Sequence, residues 1–190
     1  IAGYAMLERA NAPAAARQAV LMHHQHWDGS GFPSFAGIGK PGEGAPAGDD
    51  IHVFSRIVHA ANTLDALMER SDRRCAAHAM HAFASSTFDG WFDPVVRRAA
   101  IRAVPAFPVG LRVTLTDSTP AVVVMPNRDQ PCLPTVRPIL EGKAEPCTDI
   151  NLATQEVVNA GQRIAQAEGV DVSDVDYAPS PASQVVRDAA

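Results

Sequence analysis

The strongest constraint on the fold is a helix predicted over residues 51–68. Apolar side chains recur there at steps of three and four residues, and this spacing places them along one face of an α-helix. The mainly apolar face consists of Phe54, Ile57, Val58, Ala61, Leu64, Asp65 and Met68. Such a face is typical of a helix that packs against a hydrophobic core, so we expect a fold built around helices.

Further elements follow from composition and turn residues. We predict helices over residues 14–27, 76–84, 93–104 and 152–168, and short strands over 112–116, 121–125 and 135–139. Asp93 and Pro94 suit the N-cap and the first position of the helix over 93–104. Five glycines and three prolines exclude regular structure from the loop over 32–50. Three short strands cannot stand alone, so they must pack on the helices, and the polar C-terminal end is expected to be disordered.

The charge pattern excludes one class of partner. The net charge is -5, and the 16 basic residues are scattered rather than clustered, so polymeric nucleic acid is not expected as a partner whereas a small nucleotide is allowed. No stretch approaches the ~18 apolar residues of a membrane-spanning helix. Cys75, Cys132 and Cys147 show no paired spacing, which favours a reducing, cytoplasmic setting.

Two adjacent histidines, His23 and His24, lie near the end of the helix predicted over 14–27. Neighbouring side chains on a helix point about 100° apart, so the pair would reach different ions or different corners of a metal cluster. Imidazole suits Fe, Mn, Zn or Ni, and two-metal sites suit phosphodiester hydrolysis. Asp28, which follows the histidines, is expected either to orient an imidazole ring or to hold a nearby loop. The alternative is an exposed pair that complements the negative end of the helix dipole and binds no metal.

Residues 23–33, HHQHWDGSGFP, closely resemble the HHExxDGxGYP motif of the HD-GYP family. Three later segments resemble that family in the same order. Residues 55–68 are similar to ARIVxVADxxDALT, residues 92–96 to FDPxxV, and residues 107–110 to the YPVG that precedes a small β appendage. The resemblance covers roughly residues 1–140.

The resemblance implies a helical HD-superfamily domain that hydrolyses cyclic di-GMP at a site of two or three divalent metal ions, with Fe or Mn favoured. It implies that His23 and His24 are metal ligands. Asp28 and the loop over 29–33 would shape the substrate-side wall and contact protein partners; the loop residues concerned are Gly29, Gly31, Phe32 and Pro33. Asp65 matches the second aspartate of the VADxxDAL helix, where a structural role and a catalytic role are both open.

The chain also departs from the family pattern. None of its seven histidines is followed by aspartate, so the HD dyad is absent and we expect a truncated domain. Asn62 stands where the family has a ligand aspartate, and it offers only a weak, neutral oxygen. Gln25 in place of glutamate removes a charge beside the metal pair. His26, His52 and His59 match no ligand and are expected at the surface, and Arg74 aligns too poorly with the family's basic segment to carry a role.

These observations predict a mainly α fold: a partial HD-superfamily helical domain over residues 1–104, a three-stranded β appendage over 105–140, and a helix with a disordered tail over 141–190. The favoured function is a partial cyclic di-GMP phosphodiesterase domain. The alternatives are a degenerate signalling module that binds a nucleotide or a protein without turnover, favoured by Asn62 and Gln25, and an HD-superfamily phosphohydrolase for another nucleotide.

Overall fold

The computed structural model describes residues 2–33, 44–69, 75–139 and 147–179. The helices are α1 (Ala2–Arg9), α2 (Ala14–Met22), α3 (Val53–Glu69), α4 (Ala76–Ala84), α5 (Pro94–Ala103) and α6 (Gln155–Asn159). The strands are β1 (Arg112–Leu115), β2 (Pro120–Met125), β3 (Thr135–Pro138), β4 (Ile150–Asn151), β5 (Ile164–Ala167) and β6 (Val170–Asp171). The predictions for Arg74, for most of the glycine-rich loop and for the C-terminal tail lie outside the described residues.

The described residues group into two compact units. The first draws on residues between 1 and 66 and between 86 and 100, and the second on residues between 67 and 85 and between 101 and 179. None of the helices within the described ranges is long and apolar enough to cross a lipid bilayer.

Helix α2 is shorter than the sequence predicts, because it ends at Met22 rather than at residue 27. The N–H of Gln25 still bonds to the carbonyl of Met22, at 2.9 Å. Beyond it the N–H of Phe32 returns to the carbonyl of His24, at 2.8 Å, which closes residues 24–32 into a loop. The histidine-rich motif is therefore a loop and not the end of a helix.

Helix α3 has the predicted length, but its predicted inward face is mostly exposed. Leu64 is buried, whereas Phe54 is 50% exposed and Ile57 is 48% exposed. Buried Ser55 and His59 lie on the opposite face: the Ser55 hydroxyl donates to the carbonyl of Gln18, at 3.1 Å, and the His59 ring donates to the carbonyl of His23, at 2.9 Å. These hydrogen bonds to α2 and to the loop orient the helix, so the prediction of an inward Phe54–Ile57 face was wrong.

The second unit holds a six-stranded antiparallel sheet in the order β4-β3-β2-β1-β5-β6, so the prediction of a three-stranded appendage was wrong. The three predicted strands form β1, β2 and β3. Alternate residues of these strands are buried, among them Val113, Leu115, Ala121, Val123 and Val136. The expectation of a mainly α fold is confirmed only in part, because six helices accompany six strands in the described ranges.

The helix predicted over residues 152–168 is also wrong. Only α6 is helical there, and it ends beside Gly161, whose φ is +70°. The chain then pairs with β1 as strand β5, with Val113 opposite Ala167. Glu168 and Gly169, with φ of +50° and +80°, turn it into β6. The left-handed turn residues break the helical spacing that the sequence suggests.

Candidate histidine cleft

The loop over residues 23–33 is held by the buried side chain of Gln25, which is 2% exposed. Its Nε2 group donates to the carbonyl of Gly29, at 3.0 Å, and to the carbonyl of Pro46, at 2.9 Å. The amide therefore joins the loop to a segment twenty-one residues downstream. The role of Gln25 is therefore structural rather than the loss of a charge beside the histidines, because its donors bond to backbone oxygens.

Gly31 occupies a position that no other residue could fill without a shift. A Cβ atom built there would collide with the carbonyl of His24 and with the backbone nitrogen of His26. Gly29 takes a φ of +82°, in the region where side chains cause strain. Both glycines of the motif are thus required by the path of the loop.

Asp28 also shapes the loop. Its Oδ1 accepts a hydrogen bond from the N–H of Ser30, at 2.9 Å, and its own N–H donates to the carbonyl of Gly90, at 2.9 Å. A neighbouring bond runs from the N–H of Trp27 to the carbonyl of Trp91, at 2.9 Å. Partial burial acts to raise the pKa of Asp28, but the hydrogen bonds from Ser30 and the nearby His26 outweigh it and lower that pKa. The carboxylate of Asp28 thus stabilises the conformation of its own loop.

The loop forms one wall of an open cleft of about 510 Å³ within the first unit. The cleft is lined by His24, His26, Ser30, Gly31, Phe32, His59, Thr63 and Trp91. The ring of His26 stacks on Trp91 with centroids 4.0 Å apart, and its Nδ1 lies 3.1 Å from the hydroxyl of Ser30. The rings of His26 and His59 are 5.3 Å apart. The fold thus brings three histidines and two aromatic rings to one concave surface.

His59 was expected at the surface, and that prediction was wrong because the residue is only 4% exposed. Its Nδ1–H donates to the carbonyl of His23, whereas its buried Nε2 has no hydrogen-bond partner among the described residues. Burial lowers the pKa of His59 to about 4, although the bond to His23 acts to raise it. The ring is neutral at pH 7, and its Nε2 carries an unshared lone pair.

The first unit contains four other histidines. His23 and His24 have ring centroids 4.0 Å apart, and the Nδ1–H of His23 donates to the carbonyl of Val20, at 2.8 Å. Burial and the neighbouring His23 lower the pKa of His24, which favours a neutral ring. His26, expected at the surface, is half-buried against Trp91, whereas His52 is exposed as predicted.

Asn62 and Asp65 lie on exposed positions of α3, one turn and nearly two turns after His59. The wall that α3 contributes to the cleft consists of His59 and Thr63. The structure therefore does not place Asn62 or Asp65 in the lining of the cleft. His59 follows Ser55 by one helical turn on the same face, but this spacing does not by itself reveal which face is buried.

The residues present do not complete a metal site. Within the described part of the chain, no group of three or more His, Cys, Asp or Glu side chains is arranged to hold a metal ion. The lone pair of His59 and the neutral ring of His24 suit a cation, whereas the carboxylate of Asp28 already accepts from Ser30. Among the described residues, the lining of the cleft offers imidazoles but no carboxylate, and a pair of dications needs one.

Comparison with known proteins gives one match. The model of a family described as HD domain matches residues 1–96, which is half of the chain and includes every residue that lines the cleft. No curated protein and no solved structure matches the chain.

Proposed function

Because this chain belongs to the HD domain family, we propose that it forms the C-terminal portion of an HD-GYP-type phosphohydrolase domain. In a protein that also carries the HD dyad, the domain would hydrolyse a phosphodiester bond of cyclic di-GMP with bound divalent metal ions, Fe or Mn. The HHQHWDGSGFP loop supports the family type, and the histidine cleft beside it supports the location of the site.

The observation that carries the proposal is the buried, unpartnered Nε2 of His59 on a cleft that His24 also lines. A buried polar atom without a partner costs free energy, so its retention is most easily explained by a ligand. Neutral imidazoles bind cations without first losing a proton. His23 and His24 remain the proposed ligands, with His59 added as a third nitrogen near them.

The rim of the cleft suits a substrate with flat rings. Phe32 is 58% exposed and stands at the rim, and the ring of Trp91 forms part of the wall. Aromatic faces of this kind stack on nucleobases and tolerate base identity. Phe32 is also accessible to a protein partner, in line with the partner contact proposed for the loop over 29–33.

A second candidate is a degenerate module that binds a cyclic dinucleotide or a protein without turnover. Asn62 favours it, since an amide supplies no charge to balance a dication. The two candidates share the same cleft and differ in whether water attacks the phosphodiester.

Metal analysis and a cyclic di-GMP hydrolysis assay of the full-length protein, with added Mn²⁺ or Fe²⁺, distinguish the candidates. If the phosphodiesterase proposal holds, wild-type protein opens the ring and His24→Ala lowers both metal content and rate at least ~10-fold. His52→Ala is the matched control, because His52 is exposed and outside the cleft lining, and it should leave both unchanged.

Asn62→Asp separates the two candidates. Turnover that appears only in Asn62→Asp would reject the phosphodiesterase and support the binding module. Absence of both metal and cyclic di-GMP binding in the wild type and in Asn62→Asp would overturn the phosphodiesterase and the nucleotide-binding form of the module.

A further inference from the structure

A second cluster of reactive side chains lies in the second unit, at the start of α4. The Sγ atom of Cys75 is 3.2 Å from Nδ1 of His78. On the other side of the ring, Nε2 of His78 is 3.6 Å from Oδ1 of Asp174. A thiol, an imidazole and a carboxylate therefore lie side by side in space. This is the order in which a cysteine nucleophile is paired with a base and then with a group that orients the base.

The contact between Cys75 and His78 is fixed by the backbone of α4. Cys75 is the N-cap residue, and its carbonyl accepts the N–H groups of His78 and Ala79, at 3.2 and 3.4 Å. Residues three apart lie on the same face of a helix, so the ring of His78 lies next to the thiol of Cys75. Ala77 and Met80 are buried and anchor the helix in the second unit.

Asp174 is held by a tight turn after β6. The N–H of Val175 donates to the carbonyl of Val172, at 3.0 Å, and both valines are buried. The N–H of Ser173 donates to Oδ1 of Asp171, at 2.9 Å, which fixes the preceding residue. The carboxylate of Asp174 is exposed, and its 3.6 Å distance from Nε2 is too long for a hydrogen bond, so it acts on His78 as a nearby negative charge.

This arrangement favours one tautomer of His78. A carboxylate beside Nε2 stabilises a proton on that nitrogen, which leaves the lone pair of Nδ1 directed at the thiol. We propose that Cys75 is a nucleophilic thiol, with His78 as its base and Asp174 as a positioning residue, that reacts with small hydroperoxides. The size limit follows because the Cys75 side chain is partly buried.

The reaction with hydrogen peroxide balances as follows. The thiol proton of Cys75 passes to Nδ1 of His78, and the thiolate attacks one oxygen of the peroxide. An S–O bond forms and the O–O bond breaks, so that the sulfur loses two electrons and the peroxide gains them. The departing hydroxide takes the proton from His78 and leaves as water. The product is a sulfenic acid on Cys75.

Cys132 provides an internal control in the same unit. Its thiol donates to the carbonyl of Tyr177, at 3.6 Å, and burial raises the pKa of Cys132 to about 11. A thiol that keeps its proton is a poor nucleophile, so Cys132 should oxidise slowly under conditions in which Cys75 reacts.

The test exposes the protein to hydrogen peroxide at pH 7, traps sulfenic acid with dimedone, and measures each cysteine by mass spectrometry. Trypsin places the three cysteines in separate peptides. We expect Cys75 to be labelled at least ~10-fold faster than Cys132, and His78→Gln to slow Cys75 about 10-fold at pH 7, since an unassisted cysteine is only a few per cent thiolate there. Cys75→Ser should remove the label from that peptide.

Two measurements separate a base from a structural role. In His78→Gln the rate should recover towards the wild-type value as the pH rises to about 9, whereas a structural defect would lower it at every pH. Asp174→Asn, an exposed change that should leave the fold intact, is expected to slow Cys75 about 2- to 3-fold at pH 7. Equal Cys75 rates at pH 7 in the wild type and His78→Gln, or Cys75 labelling no faster than that of Cys132, would overturn the proposal.

Discussion

Gln25 joins two segments of the first unit through a single side chain. Its amide nitrogen donates to the carbonyls of Gly29 and Pro46, which lie four and twenty-one residues away along the chain. Both partners are acceptors, so the position demands a donor. A glutamate, which is the residue of the family motif here, has none when it is ionised.

We therefore predict that Gln25→Glu lowers the free energy of unfolding by about 3 kcal/mol at pH 7, because it leaves a buried carboxylate facing two carbonyls. Such a group has its pKa raised in the folded state, so the loss should shrink as the pH falls and the acid regains a donor. Urea denaturation at pH 7 and pH 4 measures both effects. Gln18→Glu, an exposed change of the same chemistry, is the control, and equal losses in the two variants would contradict the prediction.

The sequence predicts the residues of the cleft unevenly. The motif pointed to His23 and His24, and its glycines are explained by the path of the loop. It could not find His59 or His26, because burial depends on which helix face packs inward and on the stacking of Trp91, which lies 65 residues along the chain from His26. Pairing across such distances leaves no local pattern in the sequence.

At the scale of elements, α3 buries the face that carries Ser55 and His59. The hydrogen bonds of Ser55 and His59 to backbone carbonyls fix this orientation, whereas Phe54 and Ile57 remain about half exposed. Hydrophobic periodicity identified the helix and its approximate length, but it could not identify the buried face, since that face carries two hydrogen-bonded polar groups as well as apolar side chains.

This orientation predicts a clear difference between two alanine substitutions in α3. Leu64→Ala should lower the free energy of unfolding by about 2–5 kcal/mol, because it empties a buried site. Ile57→Ala should change it by less than about 1 kcal/mol, because half of the side chain is already in solvent. Urea denaturation with a circular dichroism check measures both. A larger loss for Ile57→Ala would show that the predicted face is the buried one.

The N-cap predicted from local sequence is present in the structure, whereas the buried face predicted from periodicity is mostly exposed. Asp93 was predicted as the N-cap of the helix that follows, and its Oδ1 accepts from the N–H of Val95 at 2.8 Å. The other carboxylate oxygen bonds to Arg56, at 2.7 Å. By contrast, the strands β4, β5 and β6 were missed, because β4 and β6 have only two residues each and β5 lies in a segment whose spacing suggested a helix; all three gain stability from partners elsewhere in the sheet.

At the scale of the whole molecule, the second unit holds two groups with raised pKa values, the thiol of Cys132 and the hydroxyl of Tyr177. Burial raises the pKa of Cys132 to about 11 and also raises the pKa of Tyr177. In the unfolded chain both groups ionise at lower pH than in the fold. The folded state therefore holds these protons more tightly as the solution becomes alkaline.

The sign of this linkage predicts alkaline destabilisation. The unfolding free energy should be insensitive to these groups below about pH 9, the ordinary pKa of cysteine, and should fall as the pH rises towards 11. A single group contributes a slope of at most ~1.4 kcal/mol per pH unit. Urea denaturation at pH 7.5, 9 and 10 measures it. Cys132→Ala should show a shallower fall between pH 9 and 10, and an unchanged slope in that variant would contradict the assignment.

The sheet of the second unit ends on both sides in strands of only two residues, β4 and β6, whereas the longest strand, β2, is interior. Unpaired backbone N–H and C=O groups on an edge strand can pair with a strand of another molecule, and a longer edge strand offers more such groups. Within the described residues each edge strand has two residues and covers only part of its longer neighbour. Short edge strands disfavour pairing with a strand of another molecule, so the order of the strands disfavours self-association through the sheet, independently of what binds in the histidine cleft.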